Sequence, residues 1–382
     1  MIKKGCIKSK CDKIFRLNNQ KPSFFLIIIV GKGKILENFA VKNLSSSVRL
    51  DIFLTKTLKI SRNKILNLIK ENHIFVNNSV QNKASFKLKN DDIVGVNFSL
   101  KKENENLKQN ANFDIEILYE DDDLLVLNKP SGVVVHPAKS VKEPTLAEWL
   151  KQKKYMLSSI NGDERAGIVH RLDKQTSGAI LVAKTDFAHV KLAAQLKDKS
   201  MGRIYLAFVD LALKENVCVD RFIARNPSNR LKKAVVPSNE NGARNAKSAF
   251  LNIANDTILQ NFNPLNFSRN QTNFNLIAAK LFTGRTHQIR VHLASINRHI
   301  IGDFLYGFKS DFDKIKRIFL HAYLLYFTHP RTNRQILISA KIPSEFKNLI
   351  EKSDFKDEIY EKILPSNLIS AFDDCDQWMC LK

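Results

Sequence analysis

Between residues 47 and 100 the apolar positions fall at helical spacing twice and then at strand spacing. In SSSVRLDIFLTKTL, Leu50, Phe53, Leu54 and Leu58 share one helix face, with Ser47 placed to cap it. The stretch SRNKILNLIKEN predicts a second helix. Ser61 caps it, Ile65, Leu68 and Ile69 line one face, and Asn72 takes the left-handed position at its end. Short strands follow at 74–76 and 93–96, with turns at Asn77-Asn78 and Asn90-Asp91-Asp92. Residues 101–112, KKENENLKQNAN, lose the pattern and read as a polar linker.

From Phe113 onward, short apolar runs bounded by turn residues dominate, as buried strands do. Strands are expected at 124–127 and 133–135, paired through the turn Asn128-Lys129-Pro130-Ser131-Gly132. More are expected at 168–169, 179–183, 204–209, 276–281 and 319–327. Tyr205 faces away from Ile204 and Leu206. Helices are predicted at 145–156, capped by Thr145, and after a cap at Asp186, with Phe187, Val190 and Ala194 as a stripe. Another starts at Thr286, with Ile289, Leu293 and Ile296 on one face and Arg290 one step off it, toward a neighbouring cleft. Residues 224–250 read as basic loop, and 255–275 as an Asn-rich insertion.

Charge then suggests a partner. The chain has 61 Lys and Arg against 38 Asp and Glu, a net +23, which favours polyanions. Residues 1–48 hold ten basic and two acidic positions around one apolar run, 24–30. That run is far short of the about 20 residues a bilayer requires, so no membrane partner is expected. Residues 1–46 read as a basic, flexible extension, and the segment from 354 as a charged tail. Five scattered cysteines without CxxC read as free thiols of a cytoplasmic protein. Zinc spacing, GxxxxGK[ST], GxGxxG and GxSxG are all absent from the sequence, so metal, nucleotide cofactor and hydrolase elbow are disfavoured.

The candidate chemistry centres on 166–184, AGIVHRLDKQTSGAILVAK, where Asp173 lies between Arg171 and Lys174. Taken alone, a carboxylate in that company reads as a structural ion pair. His170, His287 and His292 sit in similar motif-like text, but without HExxH spacing. In the first module Arg49, Arg62, Lys64 and Lys70 suit RNA phosphates, unless they are simply a solvated helix face.

Two resemblances change this reading. RLD at 49–51, SRxxIxxLI at 61–69 and the following VNN resemble the alpha-L RNA-binding motif, apart from Asn72 where glycine is usual. HRLDKQTSG (170–178), RIYLAFV (203–209) and TGRTHQIRVH (283–292) together resemble the RluA-type pseudouridine synthases. DDLLVLNKPSGVVVHP and RIFLHAYLLYFTHP fit the same family in the same order. The resemblance implies an α+β fold: a mixed, largely antiparallel sheet catalytic domain with a central cleft at 113–353, plus a small α/β RNA-binding domain at 47–100. It implies Asp173 as the catalytic carboxylate, Arg290 as its partner, Tyr205 stacked on the target uracil, and Arg171 following the RNA. Arg49, Arg62 and Lys64 become RNA-binding candidates. A lysine is usual where Arg203 stands, 243–250 matches loosely, and the Asn-rich insertion departs from the pattern. The last two lie outside the three core motifs and bear on which RNA is chosen.

The implied reaction detaches uracil from C1′ through N1 and rejoins it through C5, without cofactor. The nucleotide must first leave the stack, at a cost of a few kcal/mol, and an aromatic ring returns about 1–3 kcal/mol per base. An arginine partner favours the charged form of a buried carboxylate. Whether Asp173 attacks C1′ or acts as base in a glycal-type route stays open. VVVHPA, RAGIVHRLDK and ARNPSNRLKKAVV are similar to the RluD-like branch, which modifies a stem-loop of large-subunit ribosomal RNA. The expected partner is therefore that RNA, acted on by a monomer. The alternatives are a synthase for other ribosomal or transfer RNA uridines, and a non-catalytic ribosome-assembly factor that keeps the fold.

Overall fold

The structure, a computed structural model, describes residues 26–31, 34–42, 46–58, 62–99, 111–138, 141–254, 275–309, 315 and 317–382. The chain forms two compact units, Met1–Lys108 and Gln109–Lys382. In the first, strands β1 (Leu26–Gly31), β2 (Lys34–Ala40) and β3 (Val48–Arg49) precede helices α1 (Leu50–Leu58) and α2 (Arg62–Lys70). Strands β4 (Ile74–Val76), β5 (Ser79–Val80), β6 (Lys87–Leu88) and β7 (Ile93–Ser99) follow. The apolar helix faces meet as their spacing predicts: Leu50, Phe53 and Leu54 share a core with Ile65, Ile69, Ile74 and Val94. Asn72 holds φ 59°, the left-handed position expected of it.

The flexible extension expected over 1–46 is corrected at its end. β2 pairs with β7 along its whole length, from Lys34 opposite Ser99 to Ala40 opposite Ile93. Phe39 and Val41 join the core, so a basic stretch conceals a strand that covers the edge of β7. Residues 1–25 and most of the expected linker lie outside the described residues.

The second unit runs β8 (Glu116–Glu120), β9 (Leu124–Lys129), α3 (Leu146–Gln152), β10 (Ser177–Ala183), α4 (Asp186–Asp198) and β11 (Gly202–Val209). Then come β12 (Val217–Arg225), β13 (Lys233–Val236), β14 (Arg244–Ala254), β15 (Asn275–Leu281), α5 (Gln288–Ala294) and β16 (Leu320–Thr328). β17 (Gln335–Ser339), α6 (Ser344–Ile350), α7 (Lys356–Lys362), α8 (Pro365–Ala371) and β18 (Met379–Leu381) close the chain. One sheet holds all these strands in the order β13-β12-β14-β15-β11-β16-β10-β9-β8, with β17 on β16 and β18 on β12. Its pairs are antiparallel except β10 with β16 and β12 with β18, so the fold is α+β with a mixed sheet.

Alternation along the central strands buries both faces of that sheet. Leu125 and Leu127 of β9 join Ile180 and Val182 of β10 in one core, which α3, α5 and α6 complete. Leu124 and Val126 join Ala179, Leu181 and Ala183 in another, closed by Ala188 and Leu192 of α4. Gly178 explains the end of the TSG motif. It holds φ 115°, and any side chain there would strike the Ala322 backbone of the neighbouring β16.

Several expectations change. Residues 133–135 are not a strand and make an isolated bridge, Val134 to Thr145, because the Val134 and Val135 carbonyls accept from the N–H groups of Leu146 and Ala147 at the start of α3. Thr145 does cap α3, in a capping box with Glu148. Thr185 rather than Asp186 caps α4. Phe187 and Val190 are exposed, and the buried face of α4 is Ala188, His189 and Leu192. The basic stretch 224–250 carries the end of β12, all of β13 and the start of β14. The charged tail is folded: Ile359, Ile363, Leu368 and Phe372 are buried beneath its charges at helical spacing, and β18 pairs with β12.

Candidate active site

The loop leading into β10 is fastened from below. Lys129, wholly buried at the end of β9, donates from Nζ to the carbonyls of Pro130 and Val133 at 2.8 Å and of Lys174 at 3.2 Å. The Gly132 N–H also donates to the Lys174 carbonyl at 2.8 Å, and Ser131 Oγ to that of Gln175 at 2.7 Å. Burial pushes the Lys129 ammonium down to about 7, and Asp173 opposes the fall. The segment that reads as a hairpin turn is thus a clamp on the Asp173 loop. Lys129→Met removes the donor shared by three carbonyls, that of Val133 buried and the others part-buried, and should destabilise the second unit by about 2–3 kcal/mol, measured by denaturant unfolding.

Asp173 does not pair with its sequence neighbours. Lys174 reaches away to Glu143 at 2.7 Å, and Arg171 is exposed. The partner of Asp173 is Arg290, whose Nη1 donates to Oδ2 at 3.2 Å. Arg290 is itself gripped by Asp303, through Nε at 2.7 Å and Nη2 at 2.8 Å. The Tyr306 ring lies 4.8 Å from its guanidinium carbon. Asp173 is 15% exposed, Arg290 6% and Asp303 1%. Burial opposes the charge on Arg290, but the hydrogen bonds and field of the two carboxylates prevail and raise it above the ordinary arginine value.

Helix α5 aims Arg290 at this point. Its cap is His287, in the left-handed conformation, and not Thr286 as expected. Gln288 anchors the first turn: its Oε1 accepts from the Arg285 N–H and Thr283 Oγ, and its amide donates to the Lys247 carbonyl and Ser248 Oγ of β14. His287 places Nε2 3.9 Å from Asp173 Oδ2, and its Nδ1 meets the Tyr306 hydroxyl at 2.8 Å. Burial lowers its basicity, with Asp173 opposing. His170 is structural. Its Nε2 accepts the Leu181 N–H at 3.0 Å, and burial drives it to about 3.

A cavity of about 690 Å³ opens here, lined by Asp173, Tyr205, Arg290, Arg171, His287 and Arg203 among others. Tyr205 is almost wholly buried, and burial pushes its phenol up to about 12, with Arg203 opposing and Asp173 adding to the rise. The fold therefore brings together Asp173, Tyr205, Arg290 and Arg171. Sequence reasoning missed Asp303, Tyr306 and Lys129, although the GDFLYG motif (302–307) was a visible signal for two of them.

In the first unit, Arg49 and Arg62 converge on Asp51, which has a fully buried side chain. Their closest contacts are 3.0 and 2.7 Å. The hydrogen bond from Arg49, then that from Arg62, hold Asp51 down at about 2 against burial. Both guanidinium groups remain partly exposed, so this ion-pair role leaves each an outward face. Lys64 lies on α2, and its side chain is outside the described residues. Among the described residues no helix is long and apolar enough to cross a membrane.

The second unit thus holds a carboxylate gripped by a doubly anchored arginine in a cavity that a buried tyrosine also lines, and the first unit is a separate module with a pair of helices. The family model described as RNA pseudouridylate synthase matches residues 123–295, and that of the S4 domain matches 48–94. The chain is 43% identical over 332 residues to an uncharacterized RNA pseudouridine synthase of Helicobacter pylori, covering 86% of this chain and 97% of that one. It is 38% identical over 315 residues to the ribosomal large subunit pseudouridine synthase D of Zymomonas mobilis, covering 79% and 93%. The uncharacterized RNA pseudouridine synthase YlyB of Bacillus subtilis is 38% identical over 308 residues, covering 80% and 94%. This chain belongs to the RNA pseudouridine synthase family, and its reaction is the isomerisation of uridine in RNA.

Proposed function

We propose that the chain converts uridine to pseudouridine in large-subunit ribosomal RNA, with Asp173 acting at C1′. The observation that carries the chemistry is the Asp173–Arg290–Asp303 chain beside Tyr205 in one cavity. Uracil flips from the RNA and stacks on Tyr205, which compensates for the lost stacking. Asp173, hydrogen-bonded by Arg290, either attacks C1′ or removes a ribose proton, and the C1′–N1 bond breaks. The base turns within the cavity and C5 joins C1′. A single carboxylate suffices because the leaving base is also the incoming nucleophile, unlike glycoside hydrolysis with its two carboxylates. Arg171, exposed at the cavity mouth, follows the RNA backbone.

The choice of large-subunit RNA rests on the relatives named for that substrate and on the net charge of +23. The test is a map of pseudouridines in ribosomal and transfer RNA from a strain lacking the gene. Loss of a large-subunit position supports the assignment, whereas loss only from transfer RNA overturns it.

For the first unit, Arg49, Arg62 and Lys64 supply phosphate contacts. Deleting residues 1–108 should weaken RNA binding about tenfold and reduce the slope of log affinity against log salt by about 2–3. Filter binding over a salt series measures both, and an unchanged slope would return these residues to a structural role.

A further inference from the structure

Arg203 is a buried cation for which no carboxylate among the described residues serves as an ion-pair partner. Its side chain is only 7% exposed, and its Nε is buried without an acceptor. Among the described residues its side chain forms no hydrogen bond or ion pair. Arg290, in the same cavity, has two carboxylates. Arg203 sits on β11 two residues before Tyr205, and both line the cavity. Its guanidinium lies close against Gly284, where a Cβ would be 2.8 Å from Arg203 Nη1. Burial pushes its guanidinium below the ordinary arginine value, and only the field of Tyr205 opposes that. An unpaired buried cation costs stability, so a site shaped around one expects an anion to arrive.

Two anions reach this cavity. RNA phosphates stay on the strand, and the exposed Arg171, Lys197 and Lys199 of the cavity lining are there to meet them. The other forms beside Tyr205, during the reaction. When C1′–N1 breaks, the bonding pair leaves with uracil, whose negative charge spreads over N1 and the two carbonyl oxygens. We propose that Arg203 is a catalytic residue that holds the detached uracil as an anion until C5 reaches C1′.

The inference rests on the reading of the site given above and fits both routes to C1′. If Asp173 has attacked, the new C1′–O bond breaks as C5 bonds to C1′, and the charge returns to the carboxylate. If Asp173 has taken a ribose proton, it gives that proton back as C5 bonds, and the charge returns likewise. In each case C5 then loses its proton and N1 gains one, with no change of oxidation state. Arg203 thus lowers the barrier to cleavage and also keeps the free base from escaping.

The experiment uses full-length enzyme and total RNA labelled with [5-³H]uridine, prepared from a strain lacking the gene. Single-turnover tritium release, RNA affinity and melting temperature are measured for wild type, Arg203→Met, Arg203→Lys and Asp173→Asn. Arg203→Met should slow release about 100–1000-fold, with RNA affinity within about threefold of wild type. Its melting temperature should equal wild type or rise by about 2–4 °C, because a buried unpaired charge is gone. Arg203→Lys should recover the rate to within about tenfold. A normal rate with weakened affinity and a salt slope lower by about 1 would make the ligand a phosphate and overturn the proposal. A lowered melting temperature with a rate that lysine does not restore would make the residue structural and overturn it equally. If Asp173→Asn releases tritium as wild type does, the reading of the site fails. If that variant is inactive while Arg203→Met is fully active, only the Arg203 assignment fails.

Discussion

Asp173→Asn should lower isomerisation by about four orders of magnitude or more while leaving RNA affinity within about threefold. The substitution keeps the side-chain shape and an oxygen for Arg290 Nη1, which donates to Oδ2 at 3.2 Å. Arg290 stays in place because its other nitrogens are held by Asp303. The Asp173 loop stays in place because Lys129, Gly132 and Ser131 grip its backbone. What is lost is the charge, and with it both the nucleophile at C1′ and the base of the alternative route. Tritium release in single turnover, beside filter binding of the same RNA, separates chemistry from docking. An Asp173→Asn enzyme that still turns over would remove this residue from the mechanism.

The same residue shows what a sequence makes legible. Local features were readable because they depend on near neighbours: the two helix faces of the first unit, the cap at Thr145, and the apolar run that becomes β10 after the HRLD loop, whereas 168–169 before it makes an isolated bridge, Ile168 to Val182, and not the strand expected. The partner of Asp173 was not readable from spacing, since Lys174 is adjacent while Arg290 is 117 residues away. In a loop, adjacent side chains point apart, and Lys174 finds Glu143 instead. Only the resemblance carried by HRLDKQTSG, RIYLAFV and TGRTHQIRVH joined the three sites in advance. Asp303 and Lys129 escaped notice because their roles lie in what they hold: a guanidinium in one case, loop carbonyls in the other. The terminal segment escaped because charge dominates its composition, whereas a few buried apolar residues, Ile359, Ile363, Leu368 and Phe372 among them, decide its fold.

Asp303→Asn should lower kcat about 100–1000-fold, with RNA affinity changed less than about threefold, although Asp303 never meets the substrate in this arrangement. Its carboxylate is 1% exposed and accepts two N–H groups of Arg290, at 2.7 and 2.8 Å. Asparagine offers one oxygen and one amide NH₂, so a donor would face a donor and the fork could not close. Arg290 would turn on its Tyr306 platform and loosen its hold on Asp173. Removing one member of a buried pair also destabilises the fold, here by about 3 kcal/mol. Unfolding measurements must therefore accompany the kinetics. Asp303→Glu keeps the charge with one extra methylene and should recover part of the rate. The double variant Asp303→Asn with Arg290→Met separates a positioning role from an independent one. If Asp303 works only through Arg290, the pair should be no slower than Arg290→Met alone. Multiplied losses would mean that Asp303 reaches the reaction by a second path.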